Sequence, residues 1–127
     1  MEHGTRVEIT DLAFGGEGIG RIEGKVCFVP FTAPGDVAEV RITESRRAYD
    51  RGELLRLAEP GNSRVEPPCP YFGTCRGCTW QHVDYEVQLE AKRAHLQHLL
   101  TRRVVIDIDI PPVIGSPRTY GWRRTAR

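Results

Sequence analysis

Cys69, Cys75 and Cys78 form a C-x5-C-x2-C loop, three thiols within ten residues. Proline and glycine between and beside them allow tight turning, so their thiolates can converge on one metal centre. In a reducing compartment such a cluster reads as metal ligands rather than as a disulfide framework. Zinc sites more often use two separated C-x2-C pairs, whereas iron-sulfur loops bring three cysteines together and take the fourth from far away. The spacing therefore favours iron-sulfur over zinc without fixing the cluster type. A blander alternative makes the three cysteines small buried residues. The Pro- and Gly-rich loop offers little core for that.

Two basic stretches carry a second kind of chemistry. Arg46, Arg47, Tyr49 and Arg51 combine guanidinium groups, which neutralise phosphates, with an aromatic ring that can stack an unpaired base. A solvated strand end is the competing reading. Arg123, Arg124 and Arg127, beside Tyr120 and Trp122, admit the same two readings. The glycine run from Gly15 to Gly20 is not followed by a helix, so it is a hairpin turn and not a nucleotide fingerprint. Its bare backbone beside Arg21 and Lys25 would let a phosphate or base come close.

These groups need elements to position them. From Thr5 to Glu59 the chain shows short β-prone runs divided by glycine, proline and charge, predicting strands at Arg6–Leu12, Gly18–Ile22, Lys25–Pro30, Asp36–Ser45 and Asp50–Ala58. The fourth carries Val37, Val40 and Ile42 in a doubled register that predicts a bulge. Short strands with glycine turns imply a small barrel of the oligonucleotide-binding kind. Glu59 to Pro68 reads as a linker. A helix is expected from Asp84, its cap, to Arg102, with Tyr85, Leu89, Leu96, Leu99 and Leu100 on one face. Ile106, Ile108 and Ile110 alternate with Asp107 and Asp109, which predicts a strand with one wet face. The expected organisation is a barrel over 1–60, a linker and cysteine loop over 61–83, and over 84–127 a helix with the beginning of a further α+β domain that the chain breaks off within.

Charge divides along the same boundary. Lys and Arg against Asp and Glu give 8 − 11 = −3 for residues 1–60 and 10 − 6 = +4 for residues 61–127. A net charge of +1 excludes a generally basic polyanion binder, so any nucleic-acid contact must come from local patches. No apolar run approaches the roughly 20 residues of a membrane span. The expectation is a cytoplasmic monomer. Of the remaining titratable residues, Cys27 reads as a small barrel residue, His95 and His98 as a wet helical surface, and Asp107 and Asp109 as a strand edge.

The run Cys69-Pro70-Tyr71-Phe72-Gly73-Thr74-Cys75-Arg76-Gly77-Cys78-Thr79-Trp80-Gln81-His82, followed by Tyr85, Gln88, Leu89 and Lys92, resembles the cluster segment of the TRAM-domain RNA uracil-C5 methyltransferases. Phe14-Gly15-Gly16-Glu17-Gly18-Ile19-Gly20-Arg21, Val29-Pro30-Phe31 and Pro34-Gly35-Asp36 are similar to that family's barrel, and Pro117, Tyr120, Trp122, Arg123, Arg124 and Arg127 to the entry of its central domain. Arg76 replaces a glycine usual in the family. The resemblance implies a 4Fe-4S cluster on Cys69, Cys75 and Cys78, with a fourth cysteine in the central domain beyond this chain. Cys27 and His82 are the other candidates for that place. It further implies an enzyme that methylates carbon 5 of a uracil in RNA, ribosomal RNA by expectation, with S-adenosylmethionine as donor. In that mechanism a cysteine attacks carbon 6 and a base removes the carbon 5 proton. Neither group, nor the donor pocket, falls on residues 1–127, so this chain alone is expected to be inactive. Its expected part is to grip RNA, through Arg21, Lys25, Arg46, Arg47, Tyr49, Arg123 and Arg124. Two other classes are a stand-alone RNA-binding module with zinc, and a methylthiotransferase, whose barrel order and cysteine spacing differ.

Overall fold

The computed structural model describes residues 4–75, 78–104 and 108–121. It is mainly β, with five strands, β1 (Thr5–Leu12), β2 (Gly18–Ile22), β3 (Lys25–Val29), β4 (Val37–Ser45) and β5 (Tyr49–Glu59), closed into a barrel in the order β1-β2-β3-β5-β4. All neighbouring strands run antiparallel except β3 and β5, which are parallel. The sequence-derived strands match these to within a residue or so at each end. The expected irregularity in β4 is present: its ladder with β5 shifts register at Val37/Ala38, Glu39/Val40 and Ile42/Glu44. Such bulges bend a strand, which lets one long hairpin serve a small closed barrel.

Period-two alternation sets what lies inside. Val7, Ile9, Cys27, Val29, Ala38 and Val40 form the core, flanked by Ile22, Leu54 and Leu57. Cys27 is fully buried there, and burial followed by the Asp50 carboxylate pushes its thiol pKa up. It is a barrel residue, in keeping with its reading as a small hydrophobe. The interior is too narrow for a full complement of side chains. Gly18 and Gly20 face inward, and a Cβ on Gly18 would lie 1.9 Å from Thr32 Oγ1. Their missing side chains therefore serve the core. The hairpin between β2 and β3 is a two-residue loop, Glu23-Gly24, with φ of 50° and 84°, the pairing that matches strand twist.

The chain divides into two compact units, one ending at Asp84 and one starting at Tyr85. The described residues of 61–83 thus pack with the barrel. In the second unit α1 runs Tyr85–Leu99, with Asp84 immediately before it, and continues as a π-helical turn at Leu100–Val104. The predicted helix ended at Arg102. β-branched Thr101 and Val104 and the adjacent charges Arg102 and Arg103 weaken regular helix where the turn widens.

The predicted strand at Ile106–Ile110 is not found among the described residues, of which Ile106 and Asp107 are not part. Ile108–Ile110 has no ladder. Instead the Gln97 side chain imitates one, its Nε2 donating to the Ile108 carbonyl at 2.7 Å and its Oε1 accepting from the Ile110 N–H at 2.8 Å. Ser116 N–H donates to the Tyr85 hydroxyl at 2.8 Å, and Leu89 lies beside Gly115, so the segment after the helix runs back along its apolar face.

Gly20→Ala would place a Cβ 2.3 Å from Val7 Cγ1 and 2.7 Å from the Glu8 carbonyl oxygen. Overpacking of this kind costs about 1–3 kcal/mol. Gly24→Ala meets no atom and costs only the backbone strain of a left-handed residue, about 1 kcal/mol. Urea denaturation should rank the two in that order, and equal losses would contradict a space-limited interior.

Candidate nucleic-acid interface and cysteine loop

The three cysteines sit on one loop with a closed neck. Arg64 and Val83 form an antiparallel bridge, Val65 N–H donates to the His82 carbonyl at 2.9 Å, and Asp84 N–H donates to the Ser63 carbonyl at 2.7 Å. Within the loop the Phe72 N–H donates to the Cys69 carbonyl at 3.2 Å and the Cys75 N–H to the Tyr71 carbonyl at 2.8 Å, turning at Gly73, whose φ is 96°. Gln81, itself buried, accepts from the Cys69 N–H at 3.1 Å. All three thiols are free, Cys69 half-buried and Cys75 and Cys78 exposed. Three soft thiolates on one tight turn suit iron or zinc in donor chemistry. Among the described residues no three His, Cys, Asp or Glu converge on a single metal position.

Among the described residues, three contacts besides the Ser63 hydroxyl on the Pro34 carbonyl fasten this loop to the barrel. The first is Asp36, fully buried, which accepts from the Ala33 N–H at 2.9 Å and the Gly61 N–H at 2.7 Å and is paired with the Arg64 guanidinium at 2.9 Å. Burial alone would raise its pKa, but Arg64 and the two N–H groups outweigh that and bring it below the usual carboxylate value. Arg64 also donates to the Phe31 carbonyl at 2.7 Å, helping to hold Phe31 at a φ of 65°, a conformation rare for an aromatic residue. The second is His82, 1% exposed, whose Nε2 meets the Thr32 carbonyl at 3.0 Å while its ring stacks on Phe72 at 5.4 Å. Its Nδ1 has no hydrogen-bond partner among the described residues. The third is Trp80, whose Nε1 donates to the Gly16 carbonyl at 3.0 Å. Gly16 has a φ of 97°, and a Cβ there would lie 2.9 Å from Thr79 Cβ, so the glycine run also receives the cysteine loop.

A separate face gathers the basic and aromatic residues. On the outside of β2, β3 and β5 the register places Arg21, Val26 and Tyr49 in one row and Ile19, Phe28 and Arg51 in the next. Phe28 and Tyr49 meet edge to face at 5.5 Å, and the Arg51 guanidinium lies 5.4 Å from each ring centroid. Arg51 is paired with Glu17 at 2.7 Å, and Arg46 with Glu44 at 2.5 Å. Lys25 is held by Asp50 at 2.9 Å and by Ser45 Oγ at 3.1 Å. Among the described residues Arg21 reaches only the Gly24 carbonyl, at 3.4 Å, and Arg47 is exposed. Arg123, Arg124 and Arg127 lie outside the described residues.

A family model of the TRAM domain matches residues 5–55, from the start of β1 to within β5 of the closed barrel. Residues 5–55 are a TRAM domain. Over nearly its whole length the chain is a relative of RNA uracil-C5 methyltransferases. It is 44% identical to an uncharacterized RNA methyltransferase of Protochlamydia amoebophila over 91% of this chain and 26% of that protein. It is 41% identical to a 23S rRNA (uracil(1939)-C(5))-methyltransferase of Pectobacterium atrosepticum over 95% of this chain and 27% of that protein. The crystal structure of Pyrococcus abyssi tRNA (uracil-54, C5)-methyltransferase in complex with S-adenosyl-L-homocysteine matches with a TM-score of 0.51 and 34% identity, covering 75% of this chain and 21% of that one. The chain therefore spans about a quarter of the length of the curated relatives it matches.

On the TRAM barrel the structure joins two patches that the sequence offered separately, because β3 and β5 become neighbours only when the barrel closes. Arg21 and Tyr49 share a row, whereas Lys25 is drawn to Asp50 at the inward register of Cys27. Phe28 was missed in the sequence, where it sits among apolar strand residues. Its outward alternation with buried Cys27 and Val29 was the available signal. Asp36, Arg64 and Trp80 were missed as fasteners because their partners are remote in sequence.

Burial, and then the nearby Arg64 charge, lower the His82 pKa from its ordinary 6.5 despite the Thr32 hydrogen bond and Asp36. The unfolded chain protonates this ring near pH 6.5 while the folded chain keeps it neutral, so stability falls as pH drops through 6.5 and levels off below the folded-state value. Thermal melts at about pH 7.5 and about pH 5.5 should show the loss. His82→Gln, which keeps a donor for the Thr32 carbonyl, should reduce that dependence, and an unchanged pH slope in the variant would assign it elsewhere.

Proposed function

We propose that this chain is the RNA-gripping and cluster-holding part of a cytoplasmic, monomeric, S-adenosylmethionine-dependent RNA uracil-C5 methyltransferase acting on ribosomal RNA. The observation that carries the reading is the 41% identity to a 23S rRNA uracil-C5 methyltransferase across almost all of the chain. No described helix is long and apolar enough to cross a membrane. The outer face bearing Arg21, Arg46, Arg47 and Tyr49, with Phe28 and Arg51, supplies what unpaired RNA needs: cations for phosphates and rings for bases. Lys25 contributes at the rim of that face, and Arg123 and Arg124 belong to the same RNA-gripping reading by their sequence alone. A methylated uracil must leave its stack at a cost of a few kcal/mol, which grip elsewhere on the RNA helps to offset.

Cys69, Cys75 and Cys78 hold a 4Fe-4S cluster in this reading, with the fourth ligand outside residues 1–127. Their spacing, their softness as donors and their free state on one pinned loop support it. The cluster's role is structural: it fixes the exposed end of a loop whose neck the TRAM barrel already holds. The methyl-donor site and the reacting cysteine and base also lie outside this chain, which is inactive alone.

Anaerobically purified chain should be brown and contain iron and acid-labile sulfide, with both reduced in Cys75→Ala and Cys78→Ala. Colourless protein with bound zinc and no iron would replace the cluster with a zinc site. In the same preparation, binding of single-stranded RNA measured by fluorescence anisotropy should weaken in Arg47→Gln and Tyr49→Ala. RNA binding equal to that of the parent in both variants would remove this face from the reading.

A further inference from the structure

Glu17 stands out on the aromatic face. Its carboxylate is 2.7 Å from the Arg51 guanidinium, and among the described residues that side chain makes no other hydrogen bond or ion pair. It approaches from the loop between β1 and β2, which is closed by the Ala13 N–H to Glu17 carbonyl bond at 2.7 Å and pinned by Trp80 on Gly16. The position of the carboxylate is therefore built into the barrel. Arg51 is also 3.8 Å from Glu44 and sits 5.4 Å from the rings of both Phe28 and Tyr49. Its side chain remains 42% exposed, so a ligand can reach it.

We propose that Glu17 is an internal competitor for a phosphate, and that it makes this face selective for single-stranded RNA over duplex. The inference rests on the RNA-binding reading above and adds a mechanism of discrimination to it. A splayed nucleotide offers two things together. Its base stacks on Phe28, Tyr49 and the guanidinium plane while the Glu17–Arg51 pair stays intact, and its phosphates are met by Arg21 and Arg47. Duplex RNA offers the phosphate alone, because its bases are already stacked. A phosphate without a base must displace Glu17 with no stacking gain, whereas base stacking contributes about 1–3 kcal/mol per base to a single strand. The carboxylate thus works as a repulsive element against the wrong partner.

The test uses the 127-residue chain, a labelled oligouridine of about twelve nucleotides and an RNA duplex of the same length, with anisotropy read over a salt series. Glu17→Gln should tighten binding of both RNAs, by roughly threefold or more for the duplex and less for the oligouridine, so that the preference for single strand shrinks. Phe28→Leu, which keeps an apolar side chain on the strand, should weaken oligouridine binding by about fivefold or more and leave the duplex nearly unchanged. Arg51→Lys should lower the salt slope little but lose much of the oligouridine preference, since an ammonium keeps the charge without the plane. If Glu17→Gln binds both RNAs no better than the parent, the competitor role is wrong. If the parent binds oligouridine and all three variants match it, RNA binding stands and this inference falls. If neither the parent nor any variant binds either RNA, the RNA reading itself fails and takes this one with it.

Discussion

A carboxylate with no exposed surface lies under the turn between β3 and β4, and the arrangement around it depends on the cation that meets it. Asp36 is provided for by two backbone N–H groups and by Arg64, a residue past the last strand. Removing one partner of a buried pair costs about 3–5 kcal/mol, because the other charge is left without compensation. The TRAM barrel therefore depends on the segment after it. The same guanidinium holds the Phe31 carbonyl, Phe31 packs edge-on to Phe72 at 5.7 Å, and Phe72 stacks on His82, so one ion pair leads directly into the cysteine loop. A low pKa for Asp36 keeps the pair charged until the pH falls through that depressed value.

The barrel was legible because its signals are local. Period-two alternation, glycine turns and the doubled register of β4 all lie within short windows, and each survives in the closed structure. What escaped was long-range. Gly61 fits against Gly35, where a Cβ would come within 2.5 Å of backbone, yet the sequence around it shows only the prolines and asparagine of a connector. A strand at Ile106–Ile110 had the right period, but period reports which side of a backbone is wet and not what that backbone bonds to. Gln97, a helix residue, answers for Ile108 and Ile110. The cysteine loop announced its donors by spacing, while its attachment through His82 and Trp80 depended on partners some 50 and 64 residues away.

Arginine is distributed over the barrel in two ways. On the β4–β5 ladder Arg56 grips Glu39 through two hydrogen bonds of 2.8 and 2.9 Å, and Arg41 pairs with Glu53, its directly opposed neighbour. Those charges are neutralised within the sheet and stiffen it. Around the β3–β5 seam Arg21 and Arg47 have no acidic partner among the described residues, and the Arg51 guanidinium is shared between carboxylates and two rings. A chain with almost no net charge can in this way still leave the Arg21 and Arg47 cations without an acidic partner among the described residues, beside the half-buried rings of Phe28 and Tyr49.

Closure of the five strands into a ring has a further consequence, which follows from the parallel join of β3 to β5. Every strand has a neighbour on each side, so the barrel offers no free backbone edge to a stray peptide or to another copy of itself. Recognition by strand addition is thereby closed to it. Whatever docks must be read through side chains, and the barrel is free of the stickiness of an open sheet.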